Sequence, residues 1–205
     1  MSADQPPAER VRILVVCTAN ICRSPYARAV LGAGLEWARP GAFDVTSAGT
    51  HALVGRGVDE GSAALLDAKG LAHHDFAARQ LSPALLAQHD VVLVMASEHR
   101  AWIVEEAPAV HRRTFTLREL AGVLDDIGES DDWEWLLDQA GAHDVVARWR
   151  ALPELVARHR PRGARRGERD VSDPYRRGPE AFARMADEVD PAVHTIVSWE
   201  RRFAR

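Results

Sequence analysis

Cysteine is scarce in this 205-residue chain, which contains only Cys17 and Cys22, both in one short segment. A disulfide between them would close a loop of a few residues and stabilise little, so a disulfide-framework fold of the secreted kind is excluded. Lysine is scarcer still: Lys69 is the only one, and the arginines are scattered over every segment. We interpret that scatter as compositional bias and not as a binding patch.

Long apolar runs and a large net charge are also absent. Residues 1–10 are polar and lack the apolar core of a secretory signal, and the apolar run 13–16 is too short to span a bilayer. The formal net charge of −4 gives no general argument for a nucleic-acid or membrane partner. We therefore expect a cytoplasmic protein that binds neither nucleic acid nor membrane.

Strand and helix signals alternate along the chain. Residues 11–16 and 91–95 are almost continuously apolar, which is typical of strands buried on both faces. Residues 24–37 and 179–203 have the apolar spacing of amphipathic helices. This alternation predicts an α/β fold with a parallel sheet, in a single domain spanning residues 1–205.

Residues 121–170 depart from this alternation. Their first half is rich in acidic residues and their second half in arginines. Residues 142–159 have helical spacing, and residues 160–169 have the composition of an exposed loop. We predict a charged helical insertion whose arginines form a solvated face, with steering of anionic phosphopeptides as the functional alternative.

The segment that joins the first strand to the first helix has the sequence CTANICRS and runs from Cys17 to Ser24. Backbone N–H groups of such a loop, together with a helix N-terminus, form an anion site. A cysteine there is favoured as a thiolate, and the planar fork of an arginine binds two phosphoryl oxygens at once. We predict Cys17 as the nucleophile and Arg23 as the phosphate ligand. The remaining members of the predicted phosphate-binding loop are Thr18, Ala19, Asn20, Ile21, Cys22 and Ser24.

A phosphocysteine mechanism also needs a proton donor for the leaving oxygen. Asp173, in Ser-Asp-Pro-Tyr, is the candidate general acid, because Pro174 disfavours helix at Asp173 and stiffens the loop that presents it. The same carboxylate would then activate water against the phosphocysteine.

These motifs resemble the low-molecular-weight protein tyrosine phosphatase family. The resemblance rests on the Cys17 loop, on Ser-Ala-Gly-Thr at 47–50, on Ala-Arg-Gln at 78–80, and on Asp-Pro-Tyr at 173–175 followed by Gly-Pro-Glu at 178–180. It implies a four-stranded parallel sheet with helices on both faces, and hydrolysis of phosphotyrosine without a cofactor. The implied substrate is a tyrosine-phosphorylated protein, which for bacterial relatives is often a tyrosine kinase.

The resemblance also implies roles for residues around the loop. Asn20 and Ser24 would hold the loop and its thiolate by hydrogen bonds. Tyr175, Ile21 and Ser47 would line the substrate wall. In family members that act on phosphoarginine a threonine replaces the isoleucine, so Ile21 favours phosphotyrosine.

Two other functions remain open. A thiol-dependent arsenate reductase would need only the nucleophile and an external thiol. A catalytically weak phosphopeptide-binding module is favoured by three departures from the family, since Ala19, Phe76 and Ala96 replace its usual glycine, histidine and aspartate. Cys22 either packs beneath the loop or forms a reversible disulfide with Cys17. The nine histidines show no metal-ligand spacing, so no metal is predicted.

Overall fold

Four parallel strands form the centre of the fold. In this computed structural model, which describes residues 9–129, 133–159 and 169–203, the sheet has the order β2-β1-β3-β4. The strands are β1 (Val11–Cys17), β2 (Phe43–Gly49), β3 (Val91–Val94) and β4 (Thr114–Thr116). β1 and β2 pair in parallel along their whole length, which brings Cys17 beside Gly49 at the carboxyl edge of the sheet.

The described residues form eight α-helices, which alternate with the strands in the first half of the chain. They are α1 (Arg23–Ala38), α2 (Glu60–Ala68), α3 (Pro83–Ala87), α4 (Ser97–Glu106), α5 (Leu117–Glu129), α6 (Trp133–Gln139), α7 (Val145–His159) and α8 (Pro179–Arg201). Each of the three connections between consecutive strands contains at least one helix, so helices cover the sheet.

Side chains of β1 alternate between two separate apolar cores. Ile13 and Val15 enter the larger core with α1 and α8, whereas Leu14 and Val16 enter the smaller one with α3 and α4. A strand buried on both faces is therefore apolar without interruption, as in its sequence. The predicted four-stranded parallel sheet with helices on both faces is confirmed.

The helices after β4 belong to the larger core. Trp149 of α7 has no exposed surface, and its ring lies 5.1 Å from the ring of Phe43 and 5.9 Å from that of Trp199, between centroids. The predicted helix at 142–159 begins at Val145. Apart from Arg169, the arginine-rich loop predicted at 160–169 lies outside the described residues.

A buried carboxylate ties α7 to α8 and α1. Glu200, fully buried, accepts hydrogen bonds from Arg148 NH2 at 2.7 Å, from Trp149 Nε1 at 2.8 Å and from Arg39 Nε at 2.8 Å. Hydrogen-bonded charges of opposite sign are the condition under which a buried carboxylate is tolerated. This cluster fixes the segment predicted as an insertion to the rest of the fold.

Two serines whose side chains are typical of helix caps do not occupy N-cap positions. Ser24 lies inside α1, and Ser97 is the first residue of α4. Ser24 bonds Cys17 and Asn20 in the preceding loop, and Ser97 bonds Asp170. Within the described ranges, none of the helices combines the length and apolarity needed to cross a lipid bilayer.

Candidate active site

The predicted phosphate-binding loop leaves the carboxyl end of β1 and enters α1. Its carbonyl groups bond outward to the segment after β2: Cys17 O accepts from Thr50 N at 3.0 Å and Thr18 O from His51 N at 2.9 Å. Ala19 O accepts from Leu53 N in the same way. In the described part of the chain, none of the N–H groups of residues 18–22 has a protein acceptor. Such a set of free N–H groups at a helix N-terminus is suited to bind an oxyanion.

Asn20 is the centre of the loop. It is fully buried and has a φ of +56°, in the left-handed region that asparagine tolerates better than most residues. Its Nδ2 donates to Ser24 Oγ at 2.8 Å and to Ser47 Oγ at 3.0 Å, and its Oδ1 accepts from Arg79 N at 3.0 Å. Ala19 is not among the described residues with positive φ, so alanine there causes no left-handed strain.

Ser47 is a correction to the sequence prediction. It was predicted in the substrate wall, but it is 3% exposed and bonds Asn20 beneath the loop. Ile21, also predicted in the wall, is likewise buried and joins the larger core. Ser47 therefore supports the loop from behind, and the wall role of Ile21 stays a prediction.

The Cys17 thiol is buried and lies 2.9 Å from Ser24 Oγ. Because Ser24 Oγ already accepts from Asn20, its hydroxyl hydrogen is free to donate to the Cys17 sulfur. Burial, followed by the nearby Asp59, raises the pKa of the Cys22 thiol, which disfavours a thiolate at Cys22. Of the two cysteines, Cys17 is thus the one placed to act as a nucleophile.

Arg23 is the first residue of α1, and its side chain contacts the segment 171–173, which lies far away in the sequence. Its NH2 lies 3.0 Å from Asp173 Oδ2 and donates to Thr18 Oγ1 at 3.3 Å, and its NH1 donates to Val171 O at 3.4 Å. The three predicted catalytic residues, Cys17, Arg23 and Asp173, therefore meet in one place.

The Asp173 segment is anchored by two carboxylates that the sequence analysis missed. Asp170 Oδ1 accepts from both the N–H and the hydroxyl of Ser97, each at 2.8 Å. Glu188 of α8 accepts from the N–H of Ser172 at 2.6 Å and from its hydroxyl at 2.8 Å. Asp170 thus satisfies the N-terminus of α4, where Ala96 has no side-chain acceptor to offer.

His99, in the first turn of α4, is a further residue that the sequence analysis missed. It is 2% exposed, and its Nε2 lies 2.9 Å from Thr18 Oγ1 in the phosphate-binding loop. Burial, followed by the charge of Arg23, lowers the pKa of His99 to about 3, so the ring is neutral at physiological pH.

Tyr175 follows Asp173 and is 37% exposed. Its N–H donates to Asp173 Oδ1 at 3.3 Å, and the guanidinium of Arg176 lies 5.0 Å from its ring centroid. An exposed aromatic ring two residues from Asp173 is available to pack on a ligand.

Among the described residues, one group of side chains has the composition of a metal site, and it lies outside the predicted phosphate-binding loop. Asp67, His73 and His74 lie at the end of α2 and in the following loop, and their ligand atoms are within 4.8 Å of one another. His73 Nε2 already pairs with Asp67 Oδ1 at 2.9 Å. Chain spacing gave no sign of this cluster, and no contact joins it to Cys17.

The arrangement thus defines an α/β protein with a thiol at the base of an oxyanion-binding loop, an arginine at its rim and a carboxylate beside that arginine. A sequence profile described as low molecular weight phosphotyrosine protein phosphatase matches residues 12–131. The chain belongs to this family.

Two similar proteins come from bacteria. The chain is 37% identical over 102 residues to the low molecular weight protein-tyrosine-phosphatase Wzb of Salmonella typhi, across 50% of this chain and 65% of Wzb. It is 39% identical over 102 residues to Etp of Escherichia coli strain K12, across 50% of this chain and 66% of Etp. The matched segment thus spans just under two thirds of each relative.

Solved structures of related proteins share the fold. The low molecular weight protein tyrosine phosphatase of T. tengcongensis superimposes with a TM-score of 0.65 and 24% identity, across 92% of this chain and 98% of that one. At this level of identity the comparison establishes the architecture.

Proposed function

We propose that this protein hydrolyses phosphotyrosine in proteins through a phosphocysteine intermediate. The observation that carries the proposal is the convergence of Cys17, Arg23 and Asp173 on one loop whose N–H groups are free. In the proposed reaction the Cys17 thiolate attacks phosphorus, and the ester bond to the phenolic oxygen breaks. Arg23 and the loop N–H groups stabilise the charge on the equatorial oxygens.

Asp173 serves both halves of the reaction. It first protonates the departing phenolate, and the resulting carboxylate then takes a proton from the water that attacks the phosphocysteine. Its ion pair with Arg23 supports this role, because it holds the carboxyl group next to the phosphate ligand.

An aryl ester fits the site better than an alkyl ester. Cys17 and Arg23 are 2% and 4% exposed, so the phosphoryl group must enter deeply, and a tyrosine side chain reaches further than that of serine. Phenols also leave more readily than alcohols, with a pKa of about 10 for tyrosine. The exposed ring of Tyr175 is suited to pack on the phenyl group.

The natural substrate in this proposal is a tyrosine-phosphorylated protein, such as a bacterial tyrosine kinase. The relatives Wzb and Etp are named protein-tyrosine-phosphatases, which supports a tyrosine-phosphorylated protein as the substrate. A cytoplasmic location is also proposed, because a free catalytic thiol persists in a reducing compartment.

The test is hydrolysis of p-nitrophenyl phosphate and a phosphotyrosyl peptide under reducing conditions. Wild type should turn over both, Cys17→Ser should be inactive, and Asp173→Ala should be slower, by about 10² or more with the peptide. Asp126→Ala, which removes an exposed carboxylate from α5, is the matched control and should behave as wild type. Mass spectrometry of acid-quenched enzyme should find the phosphate on Cys17.

Two other outcomes would overturn the proposal. An inert wild type that reduces arsenate with an external thiol would be an arsenate reductase. An inert wild type that binds phosphotyrosyl peptide without consuming it would be a binding module.

A further inference from the structure

A buried histidine, His99, is linked through Thr18 to Arg23, the residue predicted to bind phosphate. His99 does not touch the nucleophile, yet its Nε2 reaches Thr18 Oγ1 at 2.9 Å, and the same oxygen accepts from Arg23 NH2 at 3.3 Å. The three side chains therefore form one continuous line from α4 through the loop to the guanidinium. Glu98 Oε1 lies 3.6 Å from the same nitrogen, too far for a hydrogen bond.

The surroundings of the other ring nitrogen, Nδ1, indicate which tautomer His99 adopts. Nδ1 of His99 is buried and has no hydrogen-bond partner in the described part of the chain. A neutral imidazole has one N–H, and a buried N–H without an acceptor is among the rarest defects in proteins. The hydrogen therefore belongs on Nε2, where it donates to Thr18 Oγ1, and the bare lone pair belongs on Nδ1.

With this tautomer, the hydroxyl oxygen of Thr18 is an acceptor for both His99 and Arg23. The hydroxyl oxygen receives one hydrogen from His99 and one from Arg23, so both of its lone pairs are used and its position is fixed from two sides. A hydroxyl oxygen held in this way is a rigid acceptor for one nitrogen of the guanidinium. Val171 O accepts from the other terminal nitrogen at 3.4 Å.

We propose that His99 is a positioning residue: through Thr18 it holds the guanidinium of Arg23 in the orientation that binds the phosphoryl oxygens. The inference rests on the proposed function and deepens it. An uncharged donor performs this task without placing a second cation beside Arg23, which a lysine or arginine at this position would do. Rate acceleration in phosphoryl transfer comes almost entirely from such positioning and charge stabilisation.

A purely structural role for His99 would give a different result in a double-mutant cycle. His99→Leu and Thr18→Val should each lower kcat/KM for p-nitrophenyl phosphate about tenfold, because the first removes the hydrogen bond that fixes the Thr18 hydroxyl and the second removes that hydroxyl. The double variant should be about tenfold impaired as well, not hundredfold, since His99 acts through Thr18. His99→Gln, whose amide can donate from a similar position, should restore most of the rate.

The chain offers a matched control in a second buried histidine. His89 Nε2 lies 2.9 Å from Thr46 Oγ1, the same kind of contact, but no contact joins this pair to Arg23. His89→Leu should lower the melting temperature about as much as His99→Leu does, and should leave kcat/KM unchanged.

Binding of inorganic phosphate, measured by calorimetry, tests the inference apart from turnover. His99→Leu should weaken phosphate binding about tenfold, and His89→Leu should not. Additive losses in the cycle, or unchanged phosphate binding in His99→Leu, would overturn the inference even if wild type is an active phosphatase. If His99→Leu does not fold, His99→Ala takes its place in the cycle and in the binding measurement. If wild type binds phosphate but hydrolyses no ester, the proposed function fails, and the binding comparison still decides the role of His99.

Discussion

The Oδ2 atom of Asp173 lies 3.0 Å from NH2 of Arg23, in an ion pair with one buried and one solvent-facing partner. The arginine side chain is 5% exposed and the aspartate side chain 44%. The guanidinium predicted to bind the phosphoryl group thus also holds the group predicted to move the proton. No local pattern in the chain links the two, because one begins the first helix and the other precedes the last.

Loss of Asp173 should matter more for poor leaving groups than for good ones. General acid catalysis contributes most where the departing oxygen is most basic. We expect Asp173→Ala to lower kcat about 10²–10³-fold with a phosphotyrosyl peptide and clearly less with p-nitrophenyl phosphate. Steady-state kinetics with a series of substituted phenyl phosphates checks this, and equal losses across the series would exclude Asp173 as the acid.

Gly49 permits the close contact between β2 and the phosphate-binding loop. A Cβ at this position would lie 2.4 Å from Thr18 O and 3.0 Å from Asn20 N, both backbone atoms that cannot rotate away. Gly49→Ala should therefore shift the loop, lower kcat/KM at least tenfold and reduce thermal stability. Gly57→Ala is the matched control, since a Cβ there meets no atom within 4 Å, and it should retain activity and stability.

Glu200 should be among the most costly residues to remove. Glu200→Ala leaves the guanidinium of Arg148, 5% exposed, without its carboxylate, and we expect a loss of about 3–5 kcal/mol in the free energy of unfolding. Arg150, two residues along the same helix and 50% exposed, pairs with Asp90 at the surface. Arg150→Ala should cost about 1 kcal/mol or less. Urea denaturation of both variants measures the difference, and similar values for the two would contradict the buried network.

Acid should destabilise the fold through His99. Its pKa in the folded state is about 3, below the value of 6.5 expected in the unfolded chain, so the unfolded state binds the extra proton first. The contribution of His99 is therefore complete above pH 6.5 and is lost as the pH falls toward 3, by about 2 kcal/mol at pH 5. Denaturant unfolding at pH 7 and pH 5 should give a smaller difference for His99→Gln than for wild type. An equal difference in both would show that other groups cause the acid sensitivity.

Much of the fold and of the predicted phosphate-binding loop could be predicted from the sequence, because both depend on patterns within contiguous segments. The apolar run of β1 indicated burial on both faces, and the segment from Cys17 to Arg23 lies between a strand and a helix that the pattern itself predicts. Asp173 was found through its local Asp-Pro-Tyr motif.

The errors concern which way a side chain points. Ser47 is paired with Val15 in the sheet register, and paired residues of neighbouring strands face the same side, so its hydroxyl meets Asn20 beneath the loop. Ser24 and Ser97 carry side chains typical of helix caps, but Ser24 bonds Cys17 in the preceding loop and Ser97 bonds Asp170, which is distant in the chain. Each choice depends on partners that only the folded chain supplies.

The sequence by itself determined the alternation of strands and helices, and it was enough to predict Cys17 as the nucleophile and Arg23 as the phosphate-binding residue, since each depends on neighbours a few residues apart. Only the tertiary structure decided that Asp173 pairs with Arg23 and that His99 contacts Thr18. It also decided that α7 of the segment predicted as an insertion packs into the larger core, where Trp149 bonds Glu200. The physical reason is that these contacts join residues far apart in the chain. Their geometry is set by strand order, helix packing and the exclusion of water, which no local pattern encodes.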